Sequence, residues 1–339
     1  MRAAAMTGIG LPLEVVEVPD PEPAPGELVL RIDSCGICGS DLHLVDVFDV
    51  PGLVLGHEFC GEVAAVGADV DGWSVGDRAT ALSLATCGRC DACREGRIRQ
   101  CETVQMIGIE VPGAYAEYVR VPAHDARRLP GSVTAELGAL IEPLAVARHG
   151  VERGRVQPGD DVLVMGAGPV GLATAVWLAS FGANAVGVSD PQAARLARAT
   201  EVGADVLLDP NEGEVGEHFA EQVGRRPDVV IECVGLPGLI EQAATAVGDA
   251  GRISVVGVCM AEDTFVPYTS ISKELDLNFA LYYRAQDYLA TIAAIDEGTF
   301  DPATLITGET SLTDLPDRFE SLKRPNDDAK VLVKPHLDR

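Results

Sequence analysis

The run Cys87-Gly-Arg-Cys90-Asp-Ala-Cys93 is closed by Cys101, giving four thiols at a C-x2-C-x2-C-x7-C spacing. Thiolates at these intervals suit a tetrahedral all-sulfur metal site. Consecutive turns aim three sulfurs inward, and the longer interval lets the chain return to close the cage. Such a cage leaves no open coordination position, so the zinc it implies is structural. Buried or disulfide-linked cysteines are the alternative reading of the same four residues.

A second set of metal-binding side chains is open in character. Gly36-Ile-Cys38-Gly-Ser40-Asp41-Leu-His43 and Gly56-His57-Glu58 bring thiol, imidazole and carboxylate groups onto loops that flank short strands. Glu142, in Gly138-Ala-Leu-Ile-Glu142-Pro-Leu-Ala145, adds a carboxylate further on. Three protein ligands and one open position describe a catalytic zinc. Singly, each residue has a plain reading: His57 a hydrogen-bonded core imidazole, Glu58 a solvated charge, Cys35 a small apolar filler. Their joint occurrence beside a nucleotide-binding pattern favours the metal.

That pattern is Gly166-Ala-Gly168-Pro169-Val170-Gly171, preceded by the apolar run Val162–Met165 and followed by an apolar helical stretch. The first glycine permits the turn, the second lets a pyrophosphate approach the backbone, and the third lets helix pack on strand. The helix N-terminus then offers its N–H groups to the phosphates. Asp190 falls 24 residues after Gly166, at the end of the next apolar run. Its carboxylate suits the adenosine ribose hydroxyls and repels a 2′-phosphate, so NAD is expected over NADP. Arg195, five residues on, is placed with the cofactor-binding residues.

These groups need elements to hold them. The first third is rich in Gly, Pro and short alternating segments such as Glu27–Asp33 and Gly61–Val66, which predicts a β-rich or barrel-like domain with long loops. Pro19–Gly26 reads as a proline-stiffened surface turn between strands. From Val162, short apolar runs alternate with helical stretches. The runs at Val162–Met165, Ala185–Val188, Val206–Leu208, Val229–Ile231, Ile253–Val256 and Leu277–Leu281 predict six strands. Helices are expected over Val170–Phe181, Gln192–Glu201, Val215–Val223 and Leu239–Val247. Together they predict a doubly wound parallel sheet. The tail after Arg284 is expected to hold one helix and a final strand, Lys330–Val333, packed back on the N-terminal domain.

Composition narrows the function classes. At 339 residues the chain exceeds one ordinary core, so two domains are expected. The formal net charge of −26 disfavours nucleic acid and anionic membranes as partners, because phosphates would be repelled. Only four of its 26 basic residues are lysines. Adaptation to high salt and a GC-rich genome account for that equally well. Nine cysteines, an odd number with at least four read as ligands, suit a reducing compartment. No charged n-region followed by an apolar stretch opens the chain. Val162–Val188 is apolar, but its five glycines and its strand-to-helix switch mark it as buried core, not a membrane span. A cytoplasmic protein is expected.

With these motifs in hand, the chain resembles the zinc-containing medium-chain dehydrogenases, in the branch of sorbitol, butanediol and threonine dehydrogenases. The resemblance spans essentially the whole sequence. It implies an α/β fold: a GroES-like β-rich catalytic domain over residues 1–146, a Rossmann NAD-binding domain over 147–283, and a C-terminal segment, 284–339, returning to the first. It implies Cys38, His57 and Glu58 as catalytic zinc ligands and Glu142 as a further carboxylate, bound to zinc directly or through water. Ser40 would take the alcohol's proton, His43 would deliver it to solvent, and Asp41 would orient a ligand. The reaction implied is hydride transfer between a secondary alcohol or vicinal diol and NAD, giving a ketone, in a homodimer or homotetramer. Polyol and L-threonine oxidation are alternatives within the family, and a zinc-thiolate redox sensor is one outside it. Sorbitol dehydrogenases carry a tyrosine and an arginine where this chain has Leu44 and Tyr282, which disfavours a highly hydroxylated substrate.

Overall fold

A computed structural model describes residues 1–324 and 326–337. The chain forms two compact units, residues 1–142 with 284–298 and 306–339, and residues 143–283 with 299–305.

The first unit is dominated by β structure. It contains β1 (Arg2–Ala5), β2 (Glu14–Glu17), β3 (Glu27–Gly36), α1 (Gly39–Val47), β4 (Glu58–Val66), β5 (Arg78–Ala81), β6 (Leu84–Ala85) and α2 (Asp91–Arg94). These are followed by β7 (Gln105–Met106), β8 (Tyr118–Pro122), β9 (Ala126–Arg128) and α3 (Ala135–Ala139), with α4 (Ile141–Arg153) beginning at the unit's boundary. Leu28, Leu30 and Ile32 alternate along β3 and are fully buried, joining Phe59, Tyr115 and Phe319 in the core. That period of two is what a sheet with one face in a core requires.

The second unit contains β10 (Asp161–Met165), α5 (Pro169–Ser180), β11 (Ala185–Ser189), α6 (Ala193–Ala199), β12 (Val206–Leu208) and α7 (Val215–Val223). It continues with β13 (Val229–Glu232), α8 (Leu239–Ala246), β14 (Arg252–Val255), α9 (Pro267–Ser272) and β15 (Asp276–Phe279). All six strands are parallel, in the order β12-β11-β10-β13-β14-β15. Every residue of β10 is buried, as expected of a central strand covered on both faces and written as a continuous apolar run. The six strands and four helices read from the sequence are all present, with ends shifted by a residue or two, and α9 is additional.

The tail departs from expectation. Instead of one helix and one strand it holds α10 (Ala285–Asp296), β16 (Ile306–Ser311), α11 (Leu315–Leu322) and β17 (Lys330–Lys334). β16 pairs in parallel with β17, which pairs with β3, so the tail completes a sheet of order β16-β17-β3-β4-β5-β9, with β8 also on β3. The short intervening stretch 299–305 belongs instead to the second unit, where Phe300 packs edge-on against Trp177 at 4.7 Å between ring centroids. No helix among the described residues is long and apolar enough to cross a membrane.

Candidate metal centres and nucleotide-binding turn

The lobe between β6 and β7 gathers its four cysteines as their spacing predicts. Cys87, Cys90, Cys93 and Cys101 present sulfurs within 4.8 Å of one another. The Cys87–Cys93 and Cys90–Cys93 sulfurs lie 3.9 and 3.4 Å apart. A disulfide would bring them to about 2.05 Å, and none of the nine cysteines is bonded to another. The Cys90 N–H points at Cys87 Sγ at 3.4 Å, and the Cys87 N–H at Cys101 Sγ at 3.3 Å. The backbone N–H groups of Arg89 and Cys90 draw the Cys87 thiol down to about 6, while burial pushes Cys93 up to about 12. A cation shared by all four would ionise the set together. The root of the lobe is anchored by Asp125, which accepts from the Thr86 N–H at 2.7 Å and its hydroxyl at 3.0 Å.

The second centre assembles where β3 passes into α1 and where β4 begins. Cys38 is the N-cap of α1, Glu58 opens β4 and His57 immediately precedes it, so strand pairing brings the two segments together. One atom each of Cys38, His57 and Glu58 lies within 4.8 Å of the others, a mixed sulfur, nitrogen and oxygen donor set that fits zinc. Glu142 stands outside that group. It is buried and accepts from the Ser83 hydroxyl at 3.2 Å. Burial, opposed by the charges of His57 and Lys330 and reinforced by Glu58, pushes its carboxyl up to about 7.

Asp41 is fully buried beneath this centre. Its Oδ1 lies 3.3 Å from His57 Nδ1, and its Oδ2 accepts from Tyr115 at 2.6 Å and from the Cys38 N–H at 3.3 Å. Burial pushes the Asp41 carboxyl up, but His57, Tyr115 and the Cys38 amide outweigh it and hold it below the usual range. A carboxylate on Nδ1 directs the other imidazole nitrogen towards the metal side, the usual partner of a ligating histidine. Ser40 is exposed, and its hydroxyl donates to Cys38 Sγ at 3.1 Å. His43, one turn along α1, is exposed. Leu44 faces inward and is buried.

Sequence reading missed three partners: Tyr115, Ser83 and Lys330. Lys330 was the most legible of them. It opens the otherwise apolar run Lys330-Val-Leu-Val in a chain with four lysines, and it is 3 % exposed.

In the second unit the glycine pattern forms the turn from β10 into α5. Gly166 has φ +98°, and a Cβ on Gly171 would lie 1.8 Å from the Gly166 carbonyl oxygen. Nothing lies within 4 Å of a Cβ built on Gly168, the α5 N-cap, so the backbone there is open to a ligand. Pro169 and Val170 form the first turn of α5. Asp190 is buried at the end of β11, its oxygens accepting from the Ala167 and Gln192 N–H groups at 2.9 Å each. Arg195 lies in α6, partly exposed. Tyr282 sits just after β15 with φ +57° and stacks edge-on with Tyr283.

The comparisons with known proteins agree with this architecture. Residues 24–131 match the alcohol dehydrogenase GroES-like domain, and residues 169–297 match the zinc-binding dehydrogenase domain. Sorbitol dehydrogenase of Bacillus subtilis is 33 % identical over 99 % of this chain and 98 % of its own. The chain belongs to the zinc-containing medium-chain alcohol dehydrogenases.

Solved members of this dehydrogenase family superpose closely. An Escherichia coli protein described as a short-chain alcohol dehydrogenase, solved with NADH, gives a TM-score of 0.91 at 30 % identity, covering 98 % of this chain and 99 % of its own. The 2R,3R-butanediol dehydrogenase of Bacillus subtilis gives 0.90 at 29 % identity, covering 99 % of both chains. As a family member this is an alcohol oxidoreductase whose cofactors are zinc and NAD.

The grip of Asp190 on the glycine turn predicts two linked effects of changing it. Asp190→Ser combined with Pro191→Arg is expected to raise the kcat/KM ratio for NADP+ over NAD+ at least about tenfold, since repulsion of a 2′-phosphate is removed and a cation added. It should also lower Tm, because the buried Ala167 N–H and the partly buried Gln192 N–H lose their acceptor. Wild-type protein with a higher kcat/KM for NADP+ would overturn this assignment.

Proposed function

We propose that this dehydrogenase oxidises a small or cyclic secondary alcohol, or a vicinal diol, to the ketone, with Cys38, His57 and Glu58 holding the catalytic zinc. The observation that carries the reading is the convergence of those three ligand atoms within 4.8 Å, beside an exposed Ser40 hydroxyl. Zinc bound there supplies Lewis acidity, which lowers the pKa of a hydroxyl placed against it. Asp41 keeps the His57 ring in the ligating orientation. Ser40 takes the hydroxyl proton, and His43, exposed on the same face of α1, returns it to solvent. Gly166, Gly168, Gly171 and Asp190 would hold NAD+, which would supply the hydride acceptor, so the overall change is alcohol and NAD+ to ketone, NADH and a proton. Glu142 and Ser83 form a second buried acid–hydroxyl pair that would order a water near the metal. The first lobe holds the structural zinc.

The surroundings of α1 support a hydrocarbon-bearing substrate. Beside exposed Asp46, which pairs with Lys323, and exposed Asp49, this end of α1 presents the apolar side chains of Val47, Phe48 and Val50. The loop bearing exposed Ile9 and Leu11 closes against the same end of α1, where the Gly10 N–H donates to the Val45 carbonyl at 2.7 Å. A polyol buried against such groups would leave hydroxyls unpaired at about 1–3 kcal/mol each, whereas each buried methylene gains about 0.8 kcal/mol. Butane-2,3-diol or cyclohexanol should therefore show a kcat/KM at least about tenfold above sorbitol and xylitol. A higher value for either polyol than for every simple secondary alcohol would overturn the substrate assignment.

Strand β15 is the outer strand of its sheet and carries exposed Phe279, with exposed Val258, Met260, Tyr268 and Ile271 elsewhere on the same unit. An apolar sheet edge of this kind fits a second copy of the chain, in a dimer or tetramer. Nine unbonded cysteines suit the cytoplasm.

A further inference from the structure

Strand register places three residues in line beneath the second metal centre. Gly36 of β3 lies opposite Glu58 of β4 on one side and Leu332 of β17 on the other. Lys330, two residues before Leu332, extends its side chain across Gly36 to reach Glu58 two strands away. Its ammonium donates to Glu58 Oε1 at 2.7 Å, to Oε2 at 2.6 Å and to the Ile37 carbonyl at 3.1 Å. Three donors meet three acceptors. The crossing requires a glycine, since a Cβ on Gly36 would lie 2.0 Å from Glu58 Oε2 and 3.1 Å from Lys330 Cδ. Lys330 and Glu58 are 3 % and 1 % exposed, so little water screens the pair. The other three lysines are also held by acceptors: Lys273 by the carbonyls of Ala244, Thr245 and Val247, Lys323 by Asp46, and Lys334 by Glu136. In a chain so poor in lysine, none of the four is left as plain surface charge.

We propose that Lys330 is a positioning residue for the catalytic metal: by gripping both oxygens of Glu58 it withholds part of that carboxylate's charge, so that the Cys38–His57–Glu58 set binds zinc less tightly than its ligands alone would. The advantage is chemical. A metal facing a thiolate and a fully charged carboxylate is a weaker Lewis acid than one whose carboxylate is partly neutralised. This inference rests on the metal assignment proposed above, and the measurements separate the two.

The test is zinc affinity at the second centre, measured by chelator competition on full-length protein whose cysteine lobe keeps its own zinc. Lys330→Met is expected to tighten zinc binding at least tenfold, to lower kcat, and to lower Tm when the second centre is stripped, because Glu58 is then buried without a partner. In a Glu58→Gln background the same Lys330→Met change should leave zinc affinity within about twofold, since Lys330 acts through the carboxylate. Lys330→Gln, which keeps a donor without the charge, should tighten binding in the same direction and serves if the methionine variant fails to fold. Unchanged or weaker zinc binding in both lysine variants overturns the proposal, as does an equal gain in the Glu58→Gln background. Wild-type protein that binds no zinc outside the lobe overturns the metal assignment itself.

Discussion

Cys38→Ser should reduce kcat by at least about a thousandfold, equivalent to about 4 kcal/mol of transition-state stabilisation, and take zinc content from two per chain to one. The size follows from what the site would lose, the Lewis acidity that makes an alcohol ionisable at neutral pH. Cys38 is the cleanest position for this test. It is only partly buried, and its amide, which caps Asp41, survives the substitution. His57→Ala should abolish turnover as well, but it strips a buried partner from Asp41 Oδ1 and so costs stability too. Asp41→Asn keeps Cys38, His57 and Glu58 but weakens the acceptor shared by the His57 ring, the Tyr115 hydroxyl and the Cys38 N–H, so a loss of about 10–100-fold in metal affinity or activity is expected. Elemental analysis, steady-state kinetics and thermal unfolding on the three variants together decide the matter. Full activity in Cys38→Ser protein, or in protein holding one zinc or none, would rule out the proposed site.

Cys101→Ser, the second large effect, should act on stability and not on chemistry. Sites of this kind contribute about 10–16 kcal/mol of apparent folding energy to isolated zinc fingers. Here the remainder of the unit has its own core, so a loss on the order of 4 kcal/mol is expected, which lowers Tm by roughly 10 °C for a unit of this size. Without the shared cation, Cys87 would still tend to ionise near neutral pH while half-buried Cys93 would stay protonated, so the four sulfurs lose the common charge state that closes the cage. Turnover at low temperature should stay within a fewfold of wild type, measured alongside zinc content. A variant with unchanged Tm and one zinc fewer would show that the lobe's metal contributes no stability.

The features legible in the sequence share a physical property: their parts are close along the chain. The lobe's four cysteines span fifteen residues, and short loops can satisfy tetrahedral geometry with little help from elsewhere. The glycine turn is written within six residues, because its demands are local: a left-handed φ at Gly166 and no side chain on Gly171. The buried parallel strands were also plain, since a strand covered on both faces is predominantly apolar, with polar residues such as Asp161 and Glu232 at strand ends. The tail was harder. β16 reads Ile-Thr-Gly-Glu-Thr-Ser, with no alternation, and its pairing shifts register between Ile306 and Gly308. A polar edge strand becomes a strand only because β17 offers it hydrogen bonds.

The sequence by itself determined the cysteine cluster and the nucleotide turn through local spacing, and the family resemblance pointed to Cys38, His57 and Glu58. Only the tertiary structure decided what surrounds those three side chains. Glu58 and Lys330 are 272 residues apart, and Tyr115 reaches Asp41 across 74. Ser83 finds Glu142 across 59. No periodicity links such pairs. Glu58 and Lys330 meet through sheet register, β17 beside β3 and β3 beside β4 with a glycine between, whereas Tyr115–Asp41 and Ser83–Glu142 each join a loop residue to a helix. Burial then gives the meeting its force, since charges screened in an unfolded chain interact strongly once water is excluded.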